Sequence, residues 1–503
     1  MTAAANNWLV VPIILPLVTA VVMLLLPYRP VLHRWLALLS ALLLLGVAWL
    51  LFDQVTGQGV QVLYLGGWPA PYGITLVADR LTVMMLLLTG LVAVATGLYS
   101  LADVDISGVG LGYHPLFQFL LAGVGGAFVT GDLFNLYVWF EVMLVASFVL
   151  LVSGGRRQQI LAAVKYVTIN LFSSVLFLSA VAVLYGEAGT LNMADLARKL
   201  ALGEDASASP AITVVALLFM LAFGIKAAVF PLFFWLPTSY HTPAYAVSAL
   251  FAGLLTKVGI YALVRTFTLI FVQDPDVTHQ LLLFGALLTM LSGVLGALAQ
   301  GEIRLILSFQ LVAHGGVILL GLALYSAATL GAALFYLIHD ILVKTALFLL
   351  AGLVYWLRGT TGLEELGGLA RERPWLAGLF LICALSLGGL PPLSGFMAKL
   401  GVVSSALAED HYWSAFGVLL VDLLTLLSMA LIWIRAFWGQ RPAAAPGPVT
   451  GHYALGLGAV GLLAGAVVVL GLAAQPVLEF TGAMARQLLD PNDYVAAVLG
   501  EVR

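Results

Sequence analysis

The sequence predicts an all-α polytopic membrane protein of about fourteen transmembrane helices, and three observations carry that prediction. Hydrophobic residues make up 62% of the 503 residues and charged residues 9%, against about 25% charged in an ordinary soluble domain. Apolar runs of about twenty residues, enough to cross the hydrocarbon core as a helix, recur from end to end. Two of these runs are interrupted by proline and glycine, which is tolerated at membrane depth where the freed backbone groups meet protein or water. The single cysteine, Cys383, excludes an intrachain disulfide and a multi-cysteine metal site. A net charge of −3 gives no sign of a nucleic-acid partner.

The spans fall near 6–26, 35–52, 81–101, 114–129, 131–152, 160–185, 211–236, 244–271, 279–299, 303–325, 328–357, 375–401, 411–437 and 452–474. The stretch MTAAANNWLVVPIILPLV has no positive flank and no clear cleavage site, so it reads as a first span and not a removable signal. After the second span, DQVTGQGVQVLYLGGWPAPYGITLVADR alternates Val, Leu and Tyr around a Gly/Pro turn, which predicts a hairpin on the membrane surface. The segment GEAGTLNMADLARKLALGEDASASP is a surface loop with a helical charged stretch, and the tail 475–503 is mildly amphipathic. Ten arginines (29, 34, 156, 157, 304, 358, 371, 373, 435 and 441) fall in loops on one side. Arg80, Arg198, Lys199, Arg265, Arg486 and Arg503 fall on the other. The positive-inside rule makes the first side cytoplasmic and places both termini outside.

Lysine and arginine are used differently. Of six lysines, Lys199 alone lies in a loop; Lys165, Lys226, Lys257, Lys344 and Lys399 fall within spans. Arginine stays charged, whereas a desolvated lysine can lose its proton. Each ionised group near the bilayer centre costs at least about 2.5–3.5 kcal/mol on insertion scales and reads as functional by default. Lys165, near the inner end of its span, is the one that fits simple snorkelling. Glu141, His314 and His339 also fall within spans, and His241 sits in the loop SYHTPAY, where it lines a vestibule or caps the next helix.

Pro231 follows Lys226, and Pro391 and Pro392 precede Lys399. A proline cannot donate its missing N–H and clashes with the preceding turn, so each lysine is expected beside a broken helix and a hydrated cavity. Interrupted spans at matching places in two halves mark transport sites at a repeat interface. Lys226 and Lys399 are 173 residues apart; the same offset carries Glu141 onto His314 and Lys165 to within one residue of His339. Each unit then holds five spans, an odd number, so the two units are inverted in the membrane. The resulting division is 1–110 (helices 1–3), 111–275 (first repeat, helices 4–8), 276–440 (second repeat, helices 9–13) and 441–503 (helix 14 and tail). The polar inventory of single lysines, histidines and one central glutamate lacks the carboxylate cluster a hard cation wants and suits proton transfer.

These motifs resemble the antiporter-like subunit family shared by Mrp-type Na⁺/H⁺ antiporters, respiratory complex I and membrane-bound hydrogenases. The resemblance runs over nearly the whole chain. It rests on FEVMLVASF with Glu141, GIKAAVFPLFFWLP with Lys226, SALFAGLLTKVGIYALVR with Lys257, HDILVKTALFLLAG with His339 and Lys344, and LGGLPPLSGFMAKL with Lys399. The loop GGWPAPYGITLVADRL is most similar to the D branch of the Mrp type. The resemblance implies fourteen core helices with inverted repeats of helices 4–8 and 9–13. It implies Glu141 and Lys226 as a regulating pair, Lys257, His339 and Lys344 as a central relay, and Lys399 as the terminal group. Lys165, His241 and His314 are accessory candidates. It further implies no cofactor, H⁺ and Na⁺ as ions, and a large A-type subunit and small membrane subunits as partners in a bacterial or archaeal cell membrane. The alternatives are the homologous pump subunit of a redox-driven complex and a structural scaffold subunit. One departure stands out: in LILSFQLVAHGGVIL, Phe309, Gln310 and Leu311 replace most of the hydroxyl residues that often precede the histidine.

Overall fold

The computed structural model describes residues 6–102, 112–201, 210–440 and 452–500. The boundaries at 110/111 and 440/441, Arg441, Arg503 and the end of the GEAGTL loop lie outside the described residues. In chain order the helices are α1 (Asn7–Leu25), α2 (Pro30–Gln58), α3 (Arg80–Ala102), α4 (Tyr113–Val129), α5 (Leu133–Val152) and α6 (Arg157–Ala188). They continue with α7 (Pro210–Lys226), α8 (Trp235–Tyr240), α9 (Tyr245–Leu269), α10 (Pro275–Leu298), α11 (Ile303–Ala323) and α12 (Ala327–Arg358). The last are α13 (Pro374–Leu387), α14 (Ser394–Ala408), α15 (Tyr412–Trp438), α16 (Tyr453–Leu472), α17 (Ala474–Leu489) and α18 (Asn492–Leu499). Among the described residues eleven helices are long and apolar enough to cross a membrane. The shorter apolar helices are α4, α7, α13 and α14; the last three are short because two of the expected spans, 211–236 and 375–401, are each split.

The expected hairpin forms between β1 (Gln61–Tyr64) and β2 (Thr75–Ala78), antiparallel, with Gln61 opposite Ala78. It is not laid on the surface. β2 is wholly buried, and the Tyr64 hydroxyl donates to the carbonyl of Val498 in α18 (2.8 Å). The hairpin runs into Asp79, which closes a forked pair with Arg265 of α9 (2.5 and 2.7 Å) and accepts the Thr82 N–H. Arg265 is therefore a buried tether between α3 and α9 and not a loop cation. Its fork satisfies both carboxylate oxygens, the geometry in which a buried ion pair survives desolvation.

The backbone repeats itself, but in a register different from the 173-residue offset. Leu133 N–H donates to Leu191 O and Met193 N–H to Gly131 O; 170 residues later Ile303 donates to Thr361 and Leu363 to Gly301. Asp132 and Glu302 cap α5 and α11 alike, each accepting the N–H three residues on. α6 and α12 are both 32 residues long and end on left-handed glycines, Gly189 and Gly359. Gly123 and Gly126 let Met143 and Trp139 approach α4, as Gly293 and Gly296 admit Ala313 and Phe309 to α10. The 170-residue register thus holds on both sides of Glu141. Its counterpart is Leu311, not His314.

At the two breaks the offset is 161. Ala227, Ala228, Val229 and Leu232 donate to Phe223, Ile225, Gly224 and Val229; Gly388, Gly389, Leu390 and Leu393 donate to Ala384, Ser386, Leu385 and Leu390. Ala228 (φ 59°) and Gly389 (φ 77°) occupy the same left-handed position. In this register Lys226, the last residue of α7, matches Leu387, and Lys399 matches Thr238. The two lysines are not mirror positions: one ends the helix before its break, and the other lies in the helix after its break. The register shortens between α6 and the break because the connecting loop is shorter in the second half.

A side chain in the left-handed region costs about 1–2 kcal/mol. Ala228→Gly is accordingly expected to raise the thermal midpoint of the purified assembly slightly. Gly389→Ala should lower it, since its Cβ would also meet Lys399 Cδ at 2.7 Å. Equal midpoints for both variants and the parent protein would show that neither position is strained.

Candidate functional site

α12 is the axis of the site. Its membrane window is wholly buried, in contrast to the half-exposed windows of α5, α6 or α10. A helix so enclosed can carry charged residues, because every face meets protein. His339, Asp340 and Lys344 lie on it, all fully buried. Asp340 is the junction. One carboxylate oxygen takes Lys257 Nζ of α9 at 2.7 Å, and the other accepts from His314 Nδ1 of α11 at 3.1 Å. Lys344, one turn along from Asp340, has an Nζ buried without a hydrogen-bond partner. A charged ammonium so placed is held by the field of Asp340 and not by a contact of its own.

The second break supplies the next group. Its end frees the carbonyl of Leu387, which accepts from Lys399 Nζ at 2.7 Å, and Asp422 of α15 pairs with the same nitrogen at 2.7 Å. Ser394, at the start of α14, bonds His339 Nδ1 (2.9 Å) and Ser386 (3.2 Å). Gly395 is required there: a Cβ would collide with the Ser386 carbonyl and crowd His339. The break thus brings a lysine, a histidine and a free carbonyl to one level.

The first break is finished differently. Trp235 Nε1 donates to the Ile225 carbonyl (3.0 Å), which also takes the Ala228 N–H, and Phe230 N–H donates to Thr289 (2.9 Å). Lys226 is buried, donates to Ser174 (3.3 Å) and sits 4.8 Å from the Phe140 ring centre. Glu141 is half-buried, one of its oxygens has no hydrogen-bond partner, and it makes no ion pair with Lys226 within 4.0 Å. A cavity of ≈ 30 Å³ beside Lys226 is lined by Phe140, Tyr166, Asn170, Trp235 and Tyr240 among others. That is room for about one water, and the Tyr240 hydroxyl there has no partner. The larger cavity at this break, ≈ 200 Å³ around Val229, Phe230, Pro231 and Gly285, is walled by apolar residues. Apolar cavities stay dry, so the hydrated space expected at Pro231 is replaced by a small polar one on the lysine side.

Residues 130–425 match the family model described as NADH:quinone oxidoreductase/Mrp antiporter, TM. The chain belongs to that family. It is 43% identical over 496 residues, 99% of this chain and all of the relative, to the D-type Na(+)/H(+) antiporter subunit of Alkalihalophilus pseudofirmus. It is 42% identical over 502 residues to the protein of the same name in Bacillus subtilis, again covering 99% of this chain and all of the relative. Its fold matches a chain of the Mrp complex from Dietzia sp. DQ12-45-1b at a TM-score of 0.90 and 33% identity, covering 98% of this chain and 100% of that one. A chain of respiratory complex I from Thermus thermophilus follows at 0.80 and 27%, covering 96% of this chain and 100% of that one. The resemblance to the D branch stands on these full-length relatives; the complex I likeness is weaker.

Within the family fold, the structure brings Lys257, His314, His339, Lys344 and Lys399 around α12 and α14. It places Glu141 and Lys226 in a separate group on the other side of α9. Lys165 is exposed on α6, as snorkelling requires. His241 donates to the Pro237 carbonyl of α8 (2.7 Å), so it caps the helix before it and not, as expected, the next one. The reading of Glu141 as the one central carboxylate is corrected by Asp340 and Asp422. Asp340 stood inside HDILVKTALFLLAG beside the histidine, and Asp422 stood alone in the apolar run VLLVDLLTLL. A carboxylate in such a run is the signal that would have found both.

Breaking a buried pair by removing one partner costs about 3–5 kcal/mol. Asp340→Asn leaves Lys257, His314 and Lys344 without an anion, whereas Asp422→Asn leaves Lys399 its carbonyl acceptor. Thermal denaturation of the purified assembly should therefore rank Asp340→Asn as the more damaging change. The reverse order would remove Asp340 from the centre of the network.

Proposed function

We propose that this chain is the proton-carrying D-type member of a multi-subunit Na⁺/H⁺ antiporter in a bacterial cell membrane, working with a large A-type subunit and small membrane subunits. The observation that carries the reading is Asp340: one buried carboxylate faces Lys257 and His314 from two other helices, with Lys344 one turn away. A proton arriving at His314 competes with Lys257 for the same anion. At 2.7 Å and an effective dielectric near 20, the gross attraction of such a pair is about 6 kcal/mol, so a change of partner moves a large energy through a small displacement.

The two units, 111–275 and 276–440, are inverted copies of helices 4–8 and 9–13, with helices 1–3 before them and helix 14 and the tail after. Counting α4 and each split crossing once brings the helices to fourteen, so both termini share a side, and the arginine distribution makes that side the outside. The 170- and 161-residue backbone registers support the duplication. Protons enter and leave through the two units and cross between them along Lys226, Lys257, Lys344, His339 and Lys399. Glu141, next to Phe140 on α5 and beyond ion-pair distance of Lys226, sets the charge of the first group through its field. Lys399, tied to Asp422 and to a helix end, exchanges with the outer phase.

Exchange is measured as cation-driven collapse of ΔpH in everted vesicles, with subunit content assayed in the same membranes. Glu141→Ala is expected to abolish exchange while the complex still assembles; normal exchange would remove the glutamate from the path. Lys344→Arg should fail as well, because arginine keeps the charge and does not give up its proton. Full activity in Lys344→Arg would show that a fixed charge suffices there. Co-purification of small antiporter subunits, and not Fe–S or flavin proteins, separates this reading from a redox-driven pump.

A further inference from the structure

Beyond the central path, a chain of side-chain hydrogen bonds leads away from His314 toward the arginine-rich face. Gln310, one turn before His314 on α11, donates through Nε2 to the Ser428 hydroxyl of α15 (2.8 Å) and accepts at Oε1 from the Thr425 hydroxyl (3.1 Å). Ser428 in turn donates to the Thr425 carbonyl (2.8 Å). Thr425 Oγ1 is also 3.4 Å from His314 Nε2. At the far end, Ser428 lines a cavity of ≈ 60 Å³ with Gln300, Leu363 and Arg435. That is room for about two waters. Gln310, Thr425 and Ser428 are all buried. The glutamine that takes the place of a hydroxyl residue on this helix is the centre of a different wire.

The polarity of this chain has a consequence for His314. Thr425 spends its one proton on Gln310, so it can only accept from His314, and Nε2 must carry a proton. On the other side Nδ1 faces the Asp340 carboxylate, itself held by Lys257, so Nδ1 must also carry a proton. With Gln310 in this orientation the network fits the imidazolium. When His314 gives up the Nε2 proton, that nitrogen becomes an acceptor, and Thr425 must turn its hydroxyl toward it. Gln310 then has to offer its NH₂ to Thr425 and its oxygen to Ser428, whose hydroxyl leaves the Thr425 carbonyl. A half-turn of one amide satisfies all of these changes, since the two ends of a carboxamide have the same shape and opposite polarity. Each orientation fits one charge state of His314 and opposes the other, because a buried donor facing a donor is unmade and expensive.

We infer that Gln310 is a positioning residue whose amide orientation is coupled to the protonation of His314, transmitting that state to the Ser428 wall of the cavity at the arginine-rich face. The inference rests on the proton-path reading above. The charged groups around His314 are Asp340 and Lys344 of α12, Lys257 of α9 acting through Asp340, and Lys399 of α14 with its partner Asp422 of α15. Tyr336 of α12 presents a ring at 5.6 Å. α10 packs on α11 through Ala286, Met290 and Gly293, which carry no charge. The switch is therefore read against two carboxylates, Asp340 and Asp422, and the lysines beside them.

The test uses the assembled complex. Gln310→Leu keeps the bulk and removes both polar ends; exchange in vesicles should fall roughly ten-fold, the upper end of what a neutral hydrogen bond is worth, and its pH profile should shift. A pH-jump infrared difference spectrum of the purified complex should carry a primary-amide carbonyl band that vanishes in Gln310→Leu and in His314→Ala. Wild-type rate and pH profile in Gln310→Leu, or an amide band that persists in His314→Ala, would overturn the coupling. If Gln310→Leu does not assemble, Ser428→Ala opens the far end of the same chain, and its loss or retention of the band decides in the same way. Lys344→Ala keeps the two readings apart: exchange surviving in that variant sinks the central path, while the infrared band still decides the switch.

Discussion

One buried carboxylate, Asp340, orders the middle of this molecule. An ionised group that deep is costly unless it is paired and hydrogen-bonded on every side. Asp340 is paired with Lys257 from α9 through one oxygen and hydrogen-bonded by His314 from α11 through the other, with Lys344 in its field. The same demand explains why α12 is the most enclosed of the long apolar helices among the described residues and why its neighbours approach it closely. Gly352 leaves no room for a Cβ between Tyr99 and Tyr245, and Gly253 none beside Thr345. Small residues allow the enclosure, the enclosure allows the charges, and the charges are what can exchange protons.

The two halves share a backbone and differ in chemistry. In the 170-residue register, Asn170 stands where Asp340 stands in the second half, and Ser174 where Lys344 stands. Both are neutral, and both face Lys226: Ser174 bonds it, and Asn170 lines its cavity. The first half therefore has a lysine with weak neutral partners and a glutamate at a distance. The second holds both aspartates: Asp422 pairs with Lys399 of its own unit, and Asp340 with Lys257 of the first. The breaks follow the same logic. At the first an indole adds to a carbonyl the backbone already bonds, and at the second a lysine takes a carbonyl the helix has freed. A duplicated scaffold has been given a loosely held charge in one unit and tightly held charges in the other, an arrangement in which a proton gained in one place can change what is favourable in the next.

The small cavities fit this picture. There is space for about one water beside Lys226 and about two beside Ser428, and side chains stand between them and the groups of the path. Hydroxyl and carboxamide groups then do what water would do, but with a polarity fixed by their neighbours.

The sequence by itself determined the membrane class, the helical architecture, the two broken helices, the hairpin and the lysines that enter the core. Each of these is written in local composition: apolar runs of spanning length, prolines that cannot donate, cations where cations are expensive. It also carried the family, through motifs around Glu141, Lys226, Lys257, Lys344 and Lys399. The tertiary structure decided the partners. Arithmetic on a lysine pair gave a 173-residue offset, while the backbone repeats at 170 and 161, because loop lengths differ between the units and side chains need not follow the duplication. Asp340 and Asp422 became the anions of the site, Gln310 a connector and Arg265 a tether only once α9, α11, α12 and α15 were packed together. A pairing between residues a hundred positions apart is set by which helix faces meet, and a helical run encodes the faces it has but not the neighbour each will find.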